Sequence, residues 1–261
     1  MRFYWLNVGI PLLCAALVFV LFDLTSLDVT ISNLFFDPVT QSFPVGHMQA
    51  VEQFTATWAR RLTNGVARMA LIGALLSLVW PCLALQRRPR VAGLLERIRV
   101  APLLRFTARY RRDLFYVVIA FGACMGVVRW LKMHTGVYCP IETTLYAGTQ
   151  MSLDWYRHFQ LLGMAGEGRC WPGGHAASGF SMLVLYFVAR RHQWRYARWL
   201  LWGALLLGLI YGSTRVLQGW HFMSQNLWAG IIVWLICLLT ALACYGPAQL
   251  QGPRAGSGVG R

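Results

Sequence analysis

The sequence predicts an all-α integral membrane protein with six transmembrane helices, and three observations support this. Of the 261 residues, 57% are hydrophobic and only 13% are charged, which is the balance of a membrane protein. Apolar runs long enough to cross a bilayer recur along the chain. The arginines concentrate in short stretches between these runs, as the positive-inside rule expects of cytoplasmic loops.

The net charge of +15 does not indicate nucleic-acid binding. The basic residues lie between apolar spans and not on a soluble domain, so they fit contact with anionic lipid headgroups. We therefore expect membrane lipids as partners, and no nucleic acid. The oligomeric state is not readable from the sequence.

The first apolar run, residues 5–22, is predicted to be a transmembrane helix. A signal peptide is the alternative, but the run is long for one and no small-residue cleavage site follows it. The next segment, residues 23–64, is polar and mixed. Within it, residues 51–62 have the pattern of an amphipathic helix lying at the membrane interface.

The second and third spans are predicted at residues 66–85 and 114–130. Between them, residues 86–113 hold nine arginines but only two acidic residues. This is the strongest topological signal in the chain, and it places the connecting loop in the cytoplasm. The segment that follows the third span, residues 131–171, is predicted to be a loop on the outer face.

The last three spans are predicted at residues 172–189, 199–213 and 222–244. A second arginine cluster follows the fourth span and fits the cytoplasmic side. Residues 1–245 would then form one six-helix domain with both termini in the cytoplasm. The tail, residues 246–261, is rich in glycine and proline and is predicted to be disordered.

The stretch CWPGGHAASG at residues 170–179 is the first candidate functional motif. Two glycines precede His175 and an apolar helix follows it, so bare backbone N–H groups and a helix N-terminus can approach an anion. Alone, such a pattern is more often a plain turn. Its weight comes from two polar clusters that the topology brings to the same membrane face: Lys132 with His134, and Arg215 with His221.

These groups together fit phosphate chemistry. Two cations neutralise a phosphate, backbone amides bind its oxygens, one histidine attacks phosphorus and the other protonates the leaving oxygen. The clusters include no group of Asp or Glu residues able to hold a metal ion. We therefore predict metal-independent chemistry without a cofactor.

The order and spacing of these residues resemble the type 2 phosphatidic acid phosphatase family, whose signature is K-x6-R-P, then P-S-G-H, then S-R-x5-H-x3-D. The resemblance covers residues 132–225 and the six-helix layout. The matching residues are Lys132 and Pro140 in the first motif, Pro172, Gly174 and His175 in the second, and Arg215 and His221 in the third. Four positions depart from the signature: Cys139 replaces arginine, Gly173 and Thr214 replace serines, and Gln225 replaces aspartate.

The resemblance implies a role for each matched residue. His221 would be the nucleophile that forms a phosphohistidine, and His175 would be the general acid that protonates the leaving group. The phosphate would be held by Lys132, Arg215 and the backbone amides of Gly173 and Gly174.

Gln225 follows His221 by four residues, which places both on one helix face. Its amide oxygen can accept a hydrogen bond from the His221 Nδ1–H group and fix the tautomer. It cannot stabilise an imidazolium as a carboxylate would, so a lower rate is expected.

Cys139 removes one phosphate cation from the first motif. Arg129 and Arg169 are candidates to supply that charge, although interfacial arginines usually serve as anchors. If the outer face is oxidising, Cys139 and Cys170 can form a disulfide. Such a bridge would brace the loop after Lys132 against the His175 motif.

The family acts mostly on lipid phosphates and diphosphates, and members of this layout work at the outer membrane face. The resemblance therefore implies a lipid phosphatase of the bacterial inner membrane with its active site facing the periplasm. The expected substrates are undecaprenyl diphosphate, phosphatidylglycerol phosphate, phosphatidate or lipid A. Two alternatives stay open: a lipid-to-lipid phosphotransferase, and a catalytically silent phospholipid-binding relative, which the departures Gln225, Cys139 and Gly173 favour.

Overall fold

Five long apolar helices dominate the fold, and each has the length and composition to cross a membrane. The candidate membrane-spanning stretches that contain them are Arg2–Asp23, Ala59–Cys82, Arg111–Glu142, Ala197–Leu217 and Met223–Tyr245. The computed structural model describes residues 2–85, 89–97 and 99–251, and this part of the chain contains no β-strand. The predicted all-α class is therefore confirmed, and the chain is a multi-pass membrane protein.

Helix α1, Arg2–Asp23, corresponds to the first predicted span. It is helical throughout, with π-helical stretches at Trp5–Gly9 and Phe19–Asp23. Trp234 of the last long helix donates its indole N–H to the carbonyl of Asn7 at 2.8 Å, which fixes α1 against the rest of the bundle. The short helix α2, Leu27–Asn33, follows α1.

The prediction of a separate interfacial helix at residues 51–62 is wrong. Helix α3, Gln49–Gln53, runs through a π-helical stretch, Phe54–Trp58, directly into helix α4, Ala59–Leu85. Neither proline nor glycine occurs between residues 49 and 64, so nothing ends the helix at the predicted boundary. The second span therefore begins several residues earlier than predicted.

The arginine-rich segment between the second and third spans is helical in its described residues. Helices α5, Pro89–Arg97, and α6, Ala101–Arg109, occupy the predicted loop. Helix α6 is amphipathic: Leu104 is buried and the helix packs on α4, while Arg105 stays half-exposed.

Helix α7, Arg111–Thr135, extends five residues beyond the predicted third span. It ends where Gly136 takes a left-handed conformation with φ 62°, which is a common way to close a helix. Lys132 therefore lies on the last turn of α7 and not in the following loop. That loop contains two 3₁₀ turns and the short helix α8, Trp155–His158.

The predicted fourth span consists of two consecutive helices, α9, Gly174–Phe180, and α10, Leu183–Arg191. The Ser181 hydroxyl donates to the carbonyl of Ser178 at 2.5 Å, and the Met182 N–H bonds back to the carbonyl three residues earlier. This side-chain competition interrupts the α-helical ladder. The described residues therefore give five candidate spans, and the predicted sixth is not confirmed.

Helices α11, Ala197–Leu217, and α12, Met223–Tyr245, complete the bundle around α9. A side-chain carbon on Gly179 would lie 2.7 Å from the Cα atom of Gly208, so α9 and α11 cross with their backbones in contact. Helix α11 extends past the predicted fifth span, and Arg215 lies on its last turn.

The predicted disordered tail is helical in its first part. Helix α13, Pro247–Gln251, follows α12, and its residue Leu250 is fully buried. The Leu250 carbonyl accepts a hydrogen bond from Arg190 Nε at 2.8 Å, which holds α13 against α10. The rest of the predicted tail, residues 252–261, lies outside the described residues.

Candidate active site

A cavity of about 530 Å³ opens at one end of the bundle, where five helix ends meet. Helices α7 and α11 end there, while α4, α9 and α12 begin there. Its volume is that of a small-molecule site. Five of the residues predicted from the motifs line it: Lys132, Gly174, His175, Arg215 and His221.

His221 is buried just before α12, and its Nδ1 atom lies 2.8 Å from the Oε1 atom of Gln225. This is the contact expected from their spacing. Because an amide oxygen only accepts, Nδ1 carries the proton and Nε2 keeps its lone pair. Burial, together with the nearby charge of Lys132, holds the pKa of His221 well below its usual range, so the imidazole is neutral at neutral pH.

His175 occupies the first turn of α9 and contacts two guanidinium groups. Its Nε2 atom lies 2.9 Å from Arg215 Nη2 and 3.4 Å from Arg60 Nη2. An arginine only donates, so Nε2 is the acceptor and the imidazole proton resides on Nδ1. An anion that binds these guanidinium groups would release the Nε2 lone pair to take a proton.

Two side chains, Gln218 and Glu52, hold the guanidinium group of Arg215 in place. Its Nη1 atom donates to Gln218 Oε1 at 3.1 Å and lies 3.4 Å from the carboxylate of Glu52. The amide of the fully buried Gln218 donates to the same carboxylate oxygen at 3.1 Å. The Arg215 Nε–H group is buried and has no hydrogen-bond partner among the described residues, as expected of a donor that awaits a ligand.

Lys132 reaches the cavity from the last turn of α7. Its ammonium group donates to the carbonyl of Arg169 at 2.5 Å. A side-chain carbon on Gly174 would lie 3.4 Å from Lys132 Cε, so the bare backbone at the start of α9 leaves room for the lysine stem.

Gly173 does not have the predicted arrangement. Its N–H group donates to the carbonyl of Gln225 at 2.8 Å, so this amide is already engaged and the predicted phosphate contact does not fit it. A side-chain carbon there would lie 2.4 Å from Asn226 Oδ1, so a larger residue at this position would require the Asn226 side chain to shift. Gly174 and the next residues of α9 retain the unpaired first-turn N–H groups of a helix.

Cys139 and Cys170 form a disulfide, with their Cα atoms 5.1 Å apart. The bridge joins the segment after Lys132 to the segment before His175, and both sulfur-bearing residues line the cavity. Cys139, Glu142 and Cys170 are also close enough together to hold a metal ion, but the two sulfur atoms are bonded to each other. The position that carries arginine in the signature is thus occupied by an uncharged crosslink.

Two residues of the site, Arg60 and Glu52, were missed by the sequence reasoning. They come from α4 and α3, far from the motifs, and line the same cavity. The consecutive arginines at positions 60 and 61, at the start of an apolar run, are the signal that could have drawn attention to them, because charge at that depth is costly.

The remaining candidates lie elsewhere or are engaged. Arg169 lines the cavity, but its Nη1 atom donates to the carbonyls of Gly166 and Gly168 at 2.5 and 2.6 Å. Arg129 is not among the residues that line the cavity. His134 stacks on Trp130 and bonds to its carbonyl, so it belongs to the surface and not to the site.

The fold and this site define a helical membrane protein with a cationic, two-histidine cavity. The sequence profile of the PAP2 superfamily matches residues 113–246, which is more than half of the chain. The chain belongs to the PAP2 superfamily, as the motifs predicted. Members of this superfamily are generally phosphatases, which supports a phosphatase role here. No curated protein and no solved structure matches the chain significantly.

Proposed function

We propose that this protein is a metal-independent lipid phosphatase that works through a phosphohistidine on His221. The observation that carries the proposal is the His221–Gln225 contact of 2.8 Å, which leaves Nε2 of a buried, neutral imidazole available beside a cationic cavity. A neutral imidazole nitrogen is the form that attacks phosphorus.

The first half-reaction transfers the phosphoryl group to the protein. Lys132, Arg215 and the N–H group of Gly174 bind the non-bridging oxygens of the phosphate. Nε2 of His221 forms the new bond to phosphorus as the bond to the leaving oxygen breaks. His175, which takes up a proton when phosphate engages the guanidinium groups, gives that proton to the leaving oxygen.

The second half-reaction releases inorganic phosphate. Neutral His175 removes a proton from a water molecule, which attacks phosphorus and breaks the bond to His221 Nε2. His221 is then neutral again and the product phosphate carries the oxygen of water, while His175 regains its starting form when it releases the proton taken from water to the solvent as phosphate departs. In a phosphotransferase, a lipid hydroxyl would take the place of this water.

A second, apolar groove of about 780 Å³ supports a lipid substrate. It runs along α4, and its lining includes Leu62, Gly65 and Val66, while Asn64 lines the active-site cavity. A lipid whose phosphate group lies in the cavity would thus have apolar surface for its acyl chains one helical turn away. Undecaprenyl diphosphate, phosphatidylglycerol phosphate, phosphatidate and lipid A all fit this description.

For the membrane arrangement, we propose that α9 and α10 together make a sixth crossing, with both termini in the cytoplasm. The arginine-rich helices α5 and α6 lie at the end opposite the cavity, which favours a cytoplasmic location for that end. The Cys139–Cys170 disulfide favours an oxidising compartment for the cavity. Both features support a bacterial inner-membrane protein whose site faces the periplasm.

The silent phospholipid-binding relative is the second candidate. The uncharged Gln225 and the engaged amide of Gly173 both favour it, because each removes stabilisation from the transition state.

The test is phosphate release by the purified protein in detergent with EDTA present. The four lipids are offered separately, with His221→Ala as the control. We expect release that survives EDTA and is lost in the variant. Binding of a lipid phosphate without release would instead support the silent relative, and phosphate found on an added acceptor lipid would support the transferase.

A further inference from the structure

Arg60 is a cationic residue of the cavity that comes from outside the matched segment of the chain. We propose that Arg60 is a phosphate-binding residue of this site and supplies the guanidinium that Cys139 no longer provides. The inference deepens the proposed function and rests on it for the identity of the ligand as a phosphate.

The geometry brings Arg60 to the reacting groups. Its Nη2 atom lies 3.4 Å from His175 Nε2, and Arg215 Nη2 lies 2.9 Å from the same nitrogen. Two guanidinium groups therefore converge on one imidazole. Arg60 contacts the histidine assigned to the leaving oxygen, so it is placed to bind phosphate oxygens on the leaving-group side.

The charge of the cavity wall also favours the binding of an anion. Among the residues that the structure describes, four cationic side chains line it and one carboxylate does: Lys132, Arg60, Arg169 and Arg215 against Glu52. Like charges held close together are unfavourable unless an anion lies between them. A phosphate of two negative charges satisfies several of these donors at once.

The backbone that carries Arg60 is fixed in place by the active-site helices. The carbonyl of Ala59 accepts a hydrogen bond from the Tyr211 hydroxyl of α11 at 3.3 Å. One turn later, the buried Thr63 hydroxyl lies 2.7 Å from the hydroxyl of Ser178 on α9. Arg60 is thus locked to the two helices that present Arg215 and His175, as a preorganised phosphate ligand requires.

The next residue, Arg61, provides a matched control. It belongs to the same helix turn and carries the same charge, but it lines the apolar groove and not the cavity. Its guanidinium lies 5.9 Å from the ring centre of Trp58. Substitution of Arg61 removes the same charge from the same surface without touching the proposed phosphate contact.

The experiment measures binding of inorganic phosphate to the full-length protein in detergent by isothermal titration calorimetry. We compare the unsubstituted protein with Arg60→Gln, Arg60→Lys and Arg61→Gln. We expect Arg60→Gln to raise the dissociation constant about ten-fold or more, because a charge-assisted hydrogen bond to phosphate is lost. Arg60→Lys should recover part of the affinity, and Arg61→Gln should stay within about two-fold of the unsubstituted protein.

Equal phosphate affinity in Arg60→Gln and the unsubstituted protein would overturn the inference, as would an equal loss in Arg61→Gln. Absence of phosphate binding by the unsubstituted protein would overturn it too. Lipid hydrolysis measured on the same samples separates the two proposals. Phosphate binding that depends on Arg60, without hydrolysis, would refute only the phosphatase; hydrolysis with unchanged affinity in Arg60→Gln would refute only the role of Arg60.

Discussion

Arginines gather at both ends of this helix bundle, but they are satisfied in different ways. At the end opposite the cavity, Asp113 is buried between Arg191 and His192, whose Nε2 atom lies 2.9 Å from the carboxylate. Arg112 Nε donates to the carbonyl of Cys244 at 2.6 Å. At the cavity end, Arg215 pairs with Glu52, which is the one carboxylate among the described residues that line the cavity.

The difference shows how one residue type serves two purposes. Where a guanidinium away from the cavity joins a buried carboxylate or a carbonyl of a neighbouring helix, we expect its role to be structural. Where guanidinium groups converge on a cavity and leave a buried N–H group without a partner among the described residues, we propose that their partner is a ligand. The first kind of arginine should affect stability when replaced, and the second should affect activity.

The largest effect is expected at the cavity end. Arg215→Gln should lower kcat/KM by about a hundred- to a thousand-fold, because it removes a donor that stabilises charge in the transition state. Thermal unfolding in detergent should change little, since the neutral amide leaves no buried charge unpaired. A large drop in the unfolding temperature with intact activity per folded molecule would contradict the comparison.

Replacement at the opposite end should show the reverse. Arg191→Gln is expected to cost about 1–3 kcal/mol of stability, because the buried Asp113 carboxylate loses its arginine partner while His192 stays 2.9 Å away. The kcat/KM value of the folded protein should stay within about two-fold. Arg105, which is half-exposed and pairs with Glu96 at 3.5 Å, offers a control whose substitution should be nearly silent in both measurements.

Gln225 is the uncharged partner of His221, and its replacement by aspartate should change both the rate and the pH dependence of the rate. Gln225→Asp should raise turnover about ten-fold, because a carboxylate stabilises an imidazolium better than an amide does. If His221 is the nucleophile as proposed, it must be deprotonated, and its pKa is low, so the acid limb of kcat/KM should lie below the usual histidine range. The aspartate would raise that pKa and move the acid limb to higher pH. A slower variant would mean that the site has been rebuilt around the amide.

The smallest effect is expected at the start of α12. Asp28 is buried and its Oδ1 atom accepts the N–H group of Ser224 at 2.9 Å, so it caps the helix that carries Gln225. Asp28→Ala should cost about 1 kcal/mol of stability, read as a lower unfolding temperature, and should reduce kcat moderately through the position of His221. Asp37, whose carboxylate accepts the N–H group of Val39 within its own turn, is a suitable comparison, and its replacement by alanine should leave kcat unchanged.

The sequence correctly predicted that the residues of the short motifs come together in space. Lys132, His175, Arg215 and His221 line one cavity, and the Cys139–Cys170 bridge is present. These residues sit at helix ends, and the ends of helices of similar length in a bundle meet at one face. The boundaries were less predictable, because hydropathy does not show where a helix stops within a polar turn.

The sequence by itself determined the membrane class, the all-α fold and the family, since these depend on run lengths, composition and motif spacing along the chain. Only the tertiary structure decided that Arg60 joins the cavity, that the Gly173 amide is engaged by Gln225, and that the predicted fourth span breaks at Ser181. Each of these is settled by hydrogen bonds and packing. The partners of Arg60 and Gly173 lie far away in sequence, and the break at Ser181 depends on which of two donors takes one carbonyl. The local sequence pattern therefore predicts neither these contacts nor this break.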